Sequence, residues 1–294
     1  MPGTALYPDA AVTVAQCLAR ADELPHSDSA RLDLELLLCD ALDRDRAWLY
    51  TWPEKTLTVP QRERFEQALA RRVAGEPLAH ILGQREFWSL SLEVNASTLI
   101  PRPDTEVLVE TTLTCLAEQA DQPQSILDLG TGTGAVALAL ASERPGWTVQ
   151  GVDCSTEAVA LAQRNGARLG LANAQFIVSD WFSAISPSRD FHAIVANPPY
   201  IASDDPHLEQ GDVRFEPRSA LVADEAGLAA LRHIAQAARS YLVPGGWLLL
   251  EHGWQQGAVV RQLLNELGYH SVATRRDYGD QERVTYGGFS GGAG

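Results

Sequence analysis

Two short stretches of this 294-residue chain have the residue types and spacing for chemistry, and the first is Asn197-Pro198-Pro199-Tyr200, which follows the apolar run Ala193 to Ala196. Two consecutive prolines remove two N–H donors and stiffen the turn, so the Asn197 side chain and the Pro198 carbonyl are held as paired acceptors. Paired acceptors suit a planar N–H₂ group. A carboxamide or an exocyclic amine is a poor nucleophile because its lone pair is delocalised. Accepting both of its hydrogens aims the nitrogen at an electrophilic carbon and stabilises the charge that develops on it. Tyr200 would then cover the flat substrate group. A proline turn with a capping Asn remains the alternative.

The second stretch is Asp128-Leu-Gly130-Thr131-Gly132-Thr133-Gly134, at a change from strand to helix, where glycines let backbone N–H groups and a helix N-terminus face a ligand. A dinucleotide fold prefers G-x-G-x-x-G; here the third glycine comes one position early and Ala135 follows it. The form suits a ligand that brings a carboxylate and an ammonium to the main chain without a pyrophosphate, as S-adenosylmethionine does. Its sulfonium methyl would be the electrophilic carbon. Asp153 ends the next strand and offers an acceptor pair to a ribose diol, or else caps the helix from Thr156. Asp180-Trp181 offers an acid and an indole to an adenine, or else Trp181 is ordinary core. Glu251 has two readings as well, a site residue or a strand-end hydrogen-bonder.

Methyl transfer by this scheme needs no general base, because the nitrogen loses its proton after transfer, when it is strongly acidic. No Ser/His/Asp or Cys/His constellation stands out, and His207, His233 and His252 read as scattered surface or core residues. Cys17, Cys39, Cys115 and Cys154 have neither CxxC pairing nor zinc-ligand spacing, so free thiols and no metal are expected. Lys+Arg 23 against Asp+Glu 38 gives −15, which argues against a phosphate-tracking groove. The first ten residues lack a basic region followed by an apolar core, and no apolar run approaches the ~18 residues of a membrane span. A cytoplasmic protein is expected.

The elements that must position these residues follow from periodicity. From about 9 to 76 apolar residues recur at helical spacing: Leu32, Leu36, Leu37 and Leu38 after a cap at Asp28 or Ser29, and Phe65, Leu69 and Val73 after Pro60. Pro25, Pro53, Pro60 and Pro77 fall between the runs. Gln84 to Val94 changes to a two-residue period and reads as a hairpin, and Leu99 to Glu106 is held extended by Pro101 and Pro103. Beyond 106 strand, turn and helix alternate: strands at 125–129, 148–153, 176–178, 192–196 and 247–251, with helices at 135–143, 156–169 and near 227–241. That calls for a parallel sheet with helices on both faces, an α/β fold. Gly287 to Gly294 reads as a frayed tail.

Glu76-Pro-Leu-Ala-His-Ile-Leu-Gly83, Glu86-Phe-Trp88 and Leu99-Ile-Pro-Arg-Pro-Asp-Thr-Glu106 resemble the linker signature of the HemK/PrmC family, whose members carry Asn-Pro-Pro-Tyr after a G-x-G-x-G turn. Phe215-Glu-Pro217, Ala220-Leu221, Gly279-Asp280 and Arg283 also look like this family, so the resemblance covers nearly the whole chain. Asp104 stands where many members carry Glu. The resemblance implies a class I S-adenosylmethionine-dependent methyltransferase, Rossmann-like with a mostly parallel seven-stranded sheet. It would comprise a substrate-recognising helical bundle (1–78), a hairpin and extended linker (79–105) and a methyltransferase domain (106–294). It implies cofactor contacts at Gly130, Thr131, Gly132, Thr133, Gly134, Asp153, Trp181 and Asn197, and catalysis by Asn197, Pro198 and Tyr200. Glutamine contacts then fall on Asn197, Pro198, Pro199 and Tyr200, and S-adenosylhomocysteine is the product. The substrate it implies is the glutamine of a Gly-Gly-Gln loop in peptide chain release factors, modified at the side-chain nitrogen to aid translation termination. A monomer without nucleic acid or membrane is expected. Arg102 and Thr105 would either line the cofactor pocket or brace two domains.

Three other functions compete. An adenine amino methyltransferase would use the same tetrapeptide on an extruded base but needs basic contacts to the phosphodiester backbone, and residues from 106 on carry 12 basic against 22 acidic side chains. A nicotinamide-dependent oxidoreductase fails on the glycine spacing. A non-enzymatic binding module predicts no turnover with any amide.

Overall fold

The computed structural model describes residues 11–209 and 211–291. The chain divides into two compact units, one running to Gly83 and taking in Glu209–Phe215, the other comprising Gln84–Leu208 and Glu216–Gly294.

The first unit is helical: α1 (Val14–Leu18), α2 (Ala30–Leu42), α3 (Arg46–Thr51), α4 (Val59–Val73) and α5 (Leu78–Leu82). Thr13 with Gln16 and Thr58 with Gln61 form capping boxes, and the Asp45 side chain accepts from the Trp48 N–H, so three of these helices start on sequence-coded caps. Their shared core joins Leu34, Leu37 and Leu38 of α2 to Leu49, Phe65 and Leu69. Leu32 and Val73, part of the helical spacing in the sequence, are exposed at 39% and 48%. The helical period explains this for α2: Leu34, Leu37, Leu38 and Ala41 make one stripe, and Leu32 points away from it. Ser29 occupies the N-cap position of α2 without a side-chain cap bond, its hydroxyl donating instead to Asp33. Pro60 lies in the first turn of α4 rather than between helices, where its missing N–H costs nothing. Residues 78–82, four of them expected in the hairpin and extended linker, are helical.

The second unit opens with the hairpin β1 (Gln84–Phe87) and β2 (Leu90–Glu93). Trp88 and Ser89 make its two-residue turn at φ of 52° and 58°, the left-handed conformation that matches strand twist. After α6 (Glu106–Cys115) come β3 (Ser125–Leu129), α7 (Ala135–Glu143), β4 (Thr148–Asp153), α8 (Thr156–Leu169), β5 (Ala174–Val178) and β6 (Phe191–Ala196). They are followed by α9 (Asp224–Gly227), α10 (Ala229–Ala238), β7 (Leu242–Glu251), α11 (Gly257–Glu266), β8 (His270–Arg276) and β9 (Glu282–Gly288). Their sheet has the order β5-β4-β3-β6-β7-β9-β8, with the first five strands parallel and β9 antiparallel to both its neighbours.

Both faces of the central strands are covered. Ile126, Val149, Ala193, Val195 and Leu249 face one apolar layer; Leu127, Leu129, Val152, Ile194, Leu248 and Leu250 face the other. That is why these strands read as continuous apolar runs. Gly287 and Gly288 belong to β9 and Phe289 is buried, so this part of the expected frayed tail is ordered sheet; residues 292–294 and the first ten residues lie outside the described ones. The helix expected near 227–241 is two, α9 and α10. No helix among the described residues is long and apolar enough to cross a membrane.

Candidate active site

The chain leaves β3 toward β4 and β5 on one side, and β6 and β7 follow on the other, so β3 and β6 flank the topological switch point where open α/β sheets bind ligands. Register then aligns the motifs. Leu129 pairs with Val152 and with Ala196, and Ala196 pairs with Leu250. The next residue on each strand is therefore Gly130, Asp153, Asn197 or Glu251. One row across the carboxyl edge of the sheet brings together four residues that sequence spacing alone left apart.

Gly130, Gly132 and Gly134 all have positive φ, of 71°, 55° and 83°, which a side chain would strain. A Cβ on Gly134 would also meet Ala162, Leu138 and Phe176 at 3.1 Å, so this glycine serves the close seating of α7. Gly132 donates its N–H to Asp153 Oδ2 at 3.0 Å, and the Ser155 N–H donates to Oδ1 at 2.9 Å. Ser155, not Asp153, caps α8 by accepting from the Ala158 N–H. Asp153 thus ties the glycine turn to the neighbouring strand and keeps lone pairs on both oxygens. Asp128, buried below the turn, accepts the Thr131 hydroxyl at 2.6 Å; burial pushes its carboxyl up to about 7, the Thr131 and Ala137 donors opposing the rise.

These turns line a pocket with Asp128, Gly130, Thr131, Gly132, Thr133, Asp153, Trp181, Asn197 and Pro199 on its wall. Gly134, Pro198 and Tyr200, expected in the site, are not on that wall. Trp181 has a positive φ of 47° and its indole would stand 3.7 Å from a Cβ on Gly130, while its partly buried ring also packs on the apolar layer beneath. Trp181 thus stands both on the pocket wall and against the core. Pro198 is buried, and the Tyr200 hydroxyl donates to Glu251 at 3.4 Å instead of lying over an open face.

Ser97, Thr98, Pro101, Arg102 and Thr105 complete one wall, and Ser219 and Ala220 another. Thr98 is the informative addition: its hydroxyl is buried and has no hydrogen-bond partner among the described residues. An orphan donor beside a glycine turn fits a polar ligand, and nothing in the local sequence pattern singled it out. The Pro101 to Glu106 segment is clamped at each polar residue. Buried Glu216 accepts from the Ile100 N–H at 2.9 Å and from Arg102 at 2.6 Å; Asp104 pairs with Arg283 at 3.7 Å; Glu106 accepts the Trp88 N–H at 2.9 Å. These partners all lie in the second unit, as does the pocket that Arg102 and Thr105 line.

Glu251 is buried at the end of β7, and burial pushes its carboxyl up to about 7 against the Thr105 hydroxyl, the Arg283 charge and the Tyr200 hydroxyl. His252, also buried, contacts Thr285 Oγ1 at 2.8 Å and the Gly253 carbonyl oxygen at 2.9 Å, a core histidine; His233 is exposed, and the His207 side chain lies outside the described residues. No group of three or more His, Cys, Asp or Glu placed to hold a metal ion occurs among the described residues.

A mostly parallel seven-stranded sheet with its pocket at this switch point defines a class I methyltransferase fold. Two solved structures share it: a methyltransferase from Pyrococcus furiosus (TM-score 0.51, 18% identity, 77% of this chain and 99% of that one) and the hMettl16 catalytic domain in complex with MAT2A 3'UTR hairpin 6 (TM-score 0.56, 16% identity, 76% and 82%). At those identities they show the fold alone. Family models match residues 12–83 as a PrmC N-terminal domain and 104–211 as a methyltransferase small domain. Proteins described as release factor glutamine methyltransferase are 55% identical in Shewanella oneidensis (90% of this chain, 91% of that protein), Escherichia coli K12 (90% and 94%) and Pseudomonas aeruginosa (92% and 96%). The chain belongs to the release factor glutamine methyltransferase family.

Proposed function

We propose that this chain transfers a methyl group from S-adenosylmethionine to the side-chain amide nitrogen of a glutamine in peptide chain release factors, that of their Gly-Gly-Gln loop. The observation that carries the reading is the register row, which puts the Asn197 carboxamide one strand from the Gly130 turn and on the wall of the same pocket. The residues fit the cofactor. Backbone N–H groups of the Gly130 to Gly134 turn and the Thr98 hydroxyl suit its carboxylate, the free lone pairs of Asp153 suit a ribose diol, and Trp181 suits the adenine face. When bound, S-adenosylmethionine supplies an electrophilic methyl carbon and leaves as S-adenosylhomocysteine.

The chain's own residues do the rest. Asn197 Oδ1 and the Pro198 carbonyl accept the two amide hydrogens, which fixes the nitrogen in the plane of the acceptors and favours the positive charge that grows on it. The cationic nitrogen then releases its proton to water. Tyr200, anchored on Glu251, stiffens the turn.

Incubation with methyl-labelled S-adenosylmethionine and either a release factor or duplex DNA, followed by mapping of the label, tests this. Label on the Gly-Gly-Gln glutamine supports it; label on adenine, or on neither substrate, refutes it.

A further inference from the structure

A carboxamide has an acceptor end and a donor end, and the proposed reaction works only with the Asn197 oxygen toward the substrate amide. The Asn197 side chain cannot set this by itself, because its two ends have nearly the same shape. Its Nδ2 donates to Thr105 Oγ1 at 3.2 Å, across 92 residues of sequence, and no hydrogen bond to its Oδ1 occurs among the described residues. Thr105 is 5% exposed and lines the pocket with Asn197. A hydroxyl carries one hydrogen and two lone pairs, so it is held as an acceptor toward Asn197 when that hydrogen is engaged elsewhere.

Buried Glu251 offers an open acceptor for it. Its carboxyl faces the Thr105 hydroxyl, its Oε1 accepts from Tyr200, and its Oε2 is buried with no hydrogen-bond partner among the described residues. As a carboxylate it only accepts. Arg283, from β9, favours that ionised form, while Asp104 and burial oppose it. Tyr200 donates to Glu251 and Asn197 donates to Thr105, which leaves Glu251 Oε2 as the open acceptor toward which the Thr105 hydrogen can turn.

We infer that Thr105 is the positioning residue of the methyl-transfer site, its hydroxyl holding the Asn197 carboxamide with Oδ1 turned to the substrate amide, and Glu251 holding the hydroxyl hydrogen. The inference rests on the proposed glutamine methylation and assigns a part to the linker that the glycine turn and the tetrapeptide do not. It also separates two ways in which a pocket-lining residue acts. A residue that serves the cofactor changes cofactor affinity; one that orients an acceptor for the second substrate changes turnover.

The test compares Thr105→Ser, Thr105→Ala and Thr105→Val, because Ser and Ala differ by the hydroxyl alone and Val keeps the shape without it. Turnover on a release factor is measured alongside calorimetric affinity for S-adenosylmethionine. Wild type and Thr105→Ser are expected to agree within about threefold, while Ala and Val lose roughly tenfold to 10²-fold in kcat, the loss typical of a misplaced reacting group. The affinity for S-adenosylmethionine stays within about twofold throughout, since a transition-state contact leaves ground-state binding intact. Equal activity of Ser and Ala overturns the inference, as does a fall in cofactor affinity that matches the fall in turnover. If Val does not fold, the Ser and Ala pair still decides. A wild-type chain that leaves the glutamine unlabelled overturns the proposed function itself, a result distinct from an active wild type whose hydroxyl-free variants are equally active.

Discussion

Asn197 and Asp153 stand one residue past paired strand positions, yet their partners give them different parts. The Asn197 oxygen is free to meet a group that binds only during the reaction, whereas Asp153 already holds the Gly132 and Ser155 N–H groups in the resting protein. Asn197→Ala is therefore expected to lower kcat by about 10²-fold or more while the cofactor dissociation constant moves only a few-fold. Asp153→Ala is expected to raise that constant at least about tenfold, as loss of charge-assisted hydrogen bonds does. Calorimetry beside turnover separates the two, and the reverse pattern would exchange their roles. The Asn197 motif and the three glycines were legible in the sequence because they are local backbone chemistry: Pro-Pro removes donors and positive φ demands glycine. Thr98 was not, and Thr105 and Glu251 were legible only as open alternatives, since strand register and a distant linker decide what they face. Asp153 was legible as an acceptor pair but not as the clamp on its own glycine turn.

At the level of elements, β4 has to lie close under the glycine turn, and Gly151 is where it does so. A Cβ there would meet the Phe176 ring at 2.6 Å and Thr131 Oγ1 at 2.7 Å. Gly151→Ala is expected to cost about 1–3 kcal/mol of stability through overpacking, read from urea unfolding, and to weaken cofactor binding because Thr131 loses its seat on Asp128. Unchanged stability would mean that β5 gives way freely. The central strands were legible because both faces are buried. The strands β8 and β9 were not, since β8 carries His270, Ser271, Arg275 and Arg276 on a sheet edge and has no apolar run. Short polar edge strands of this kind also discourage pairing with other chains.

For the molecule as a whole, ionisation sets the terms. The chain has 22 Arg against the single Lys55, and the structure supplies a use for the guanidinium: Arg20 bridges Glu23 and Glu66, Arg72 holds buried Asp33, and Arg283 holds Asp277 through two nitrogens. A lysine offers no such planar fork. Asp128 and Glu251 act on stability in the opposite sense. Burial raises both folded values to about 7, above unfolded values near ~4. Their contribution is complete below the unfolded value and is lost as pH rises through about 7. The ligand-free protein is expected to lose melting temperature between about pH 4 and pH 7, and Glu251→Gln to flatten that decline; an equally steep fall in the variant would contradict the value assigned to Glu251. With a net charge of −15, association with a release factor that presents a basic surface should be faster at low salt. A rate that does not vary with salt would remove the electrostatic contribution.

The central claim is that Asn197 Oδ1 and the Pro198 carbonyl hold a flat amide in line with the methyl donor. The structure of this chain with S-adenosylhomocysteine and a Gly-Gly-Gln peptide tests it most directly. The glutamine nitrogen is predicted to lie about 2.8–3.1 Å from both oxygens and to face the sulfur. A glutamine bound elsewhere, or an Asn197 whose donor end meets it, would contradict the account.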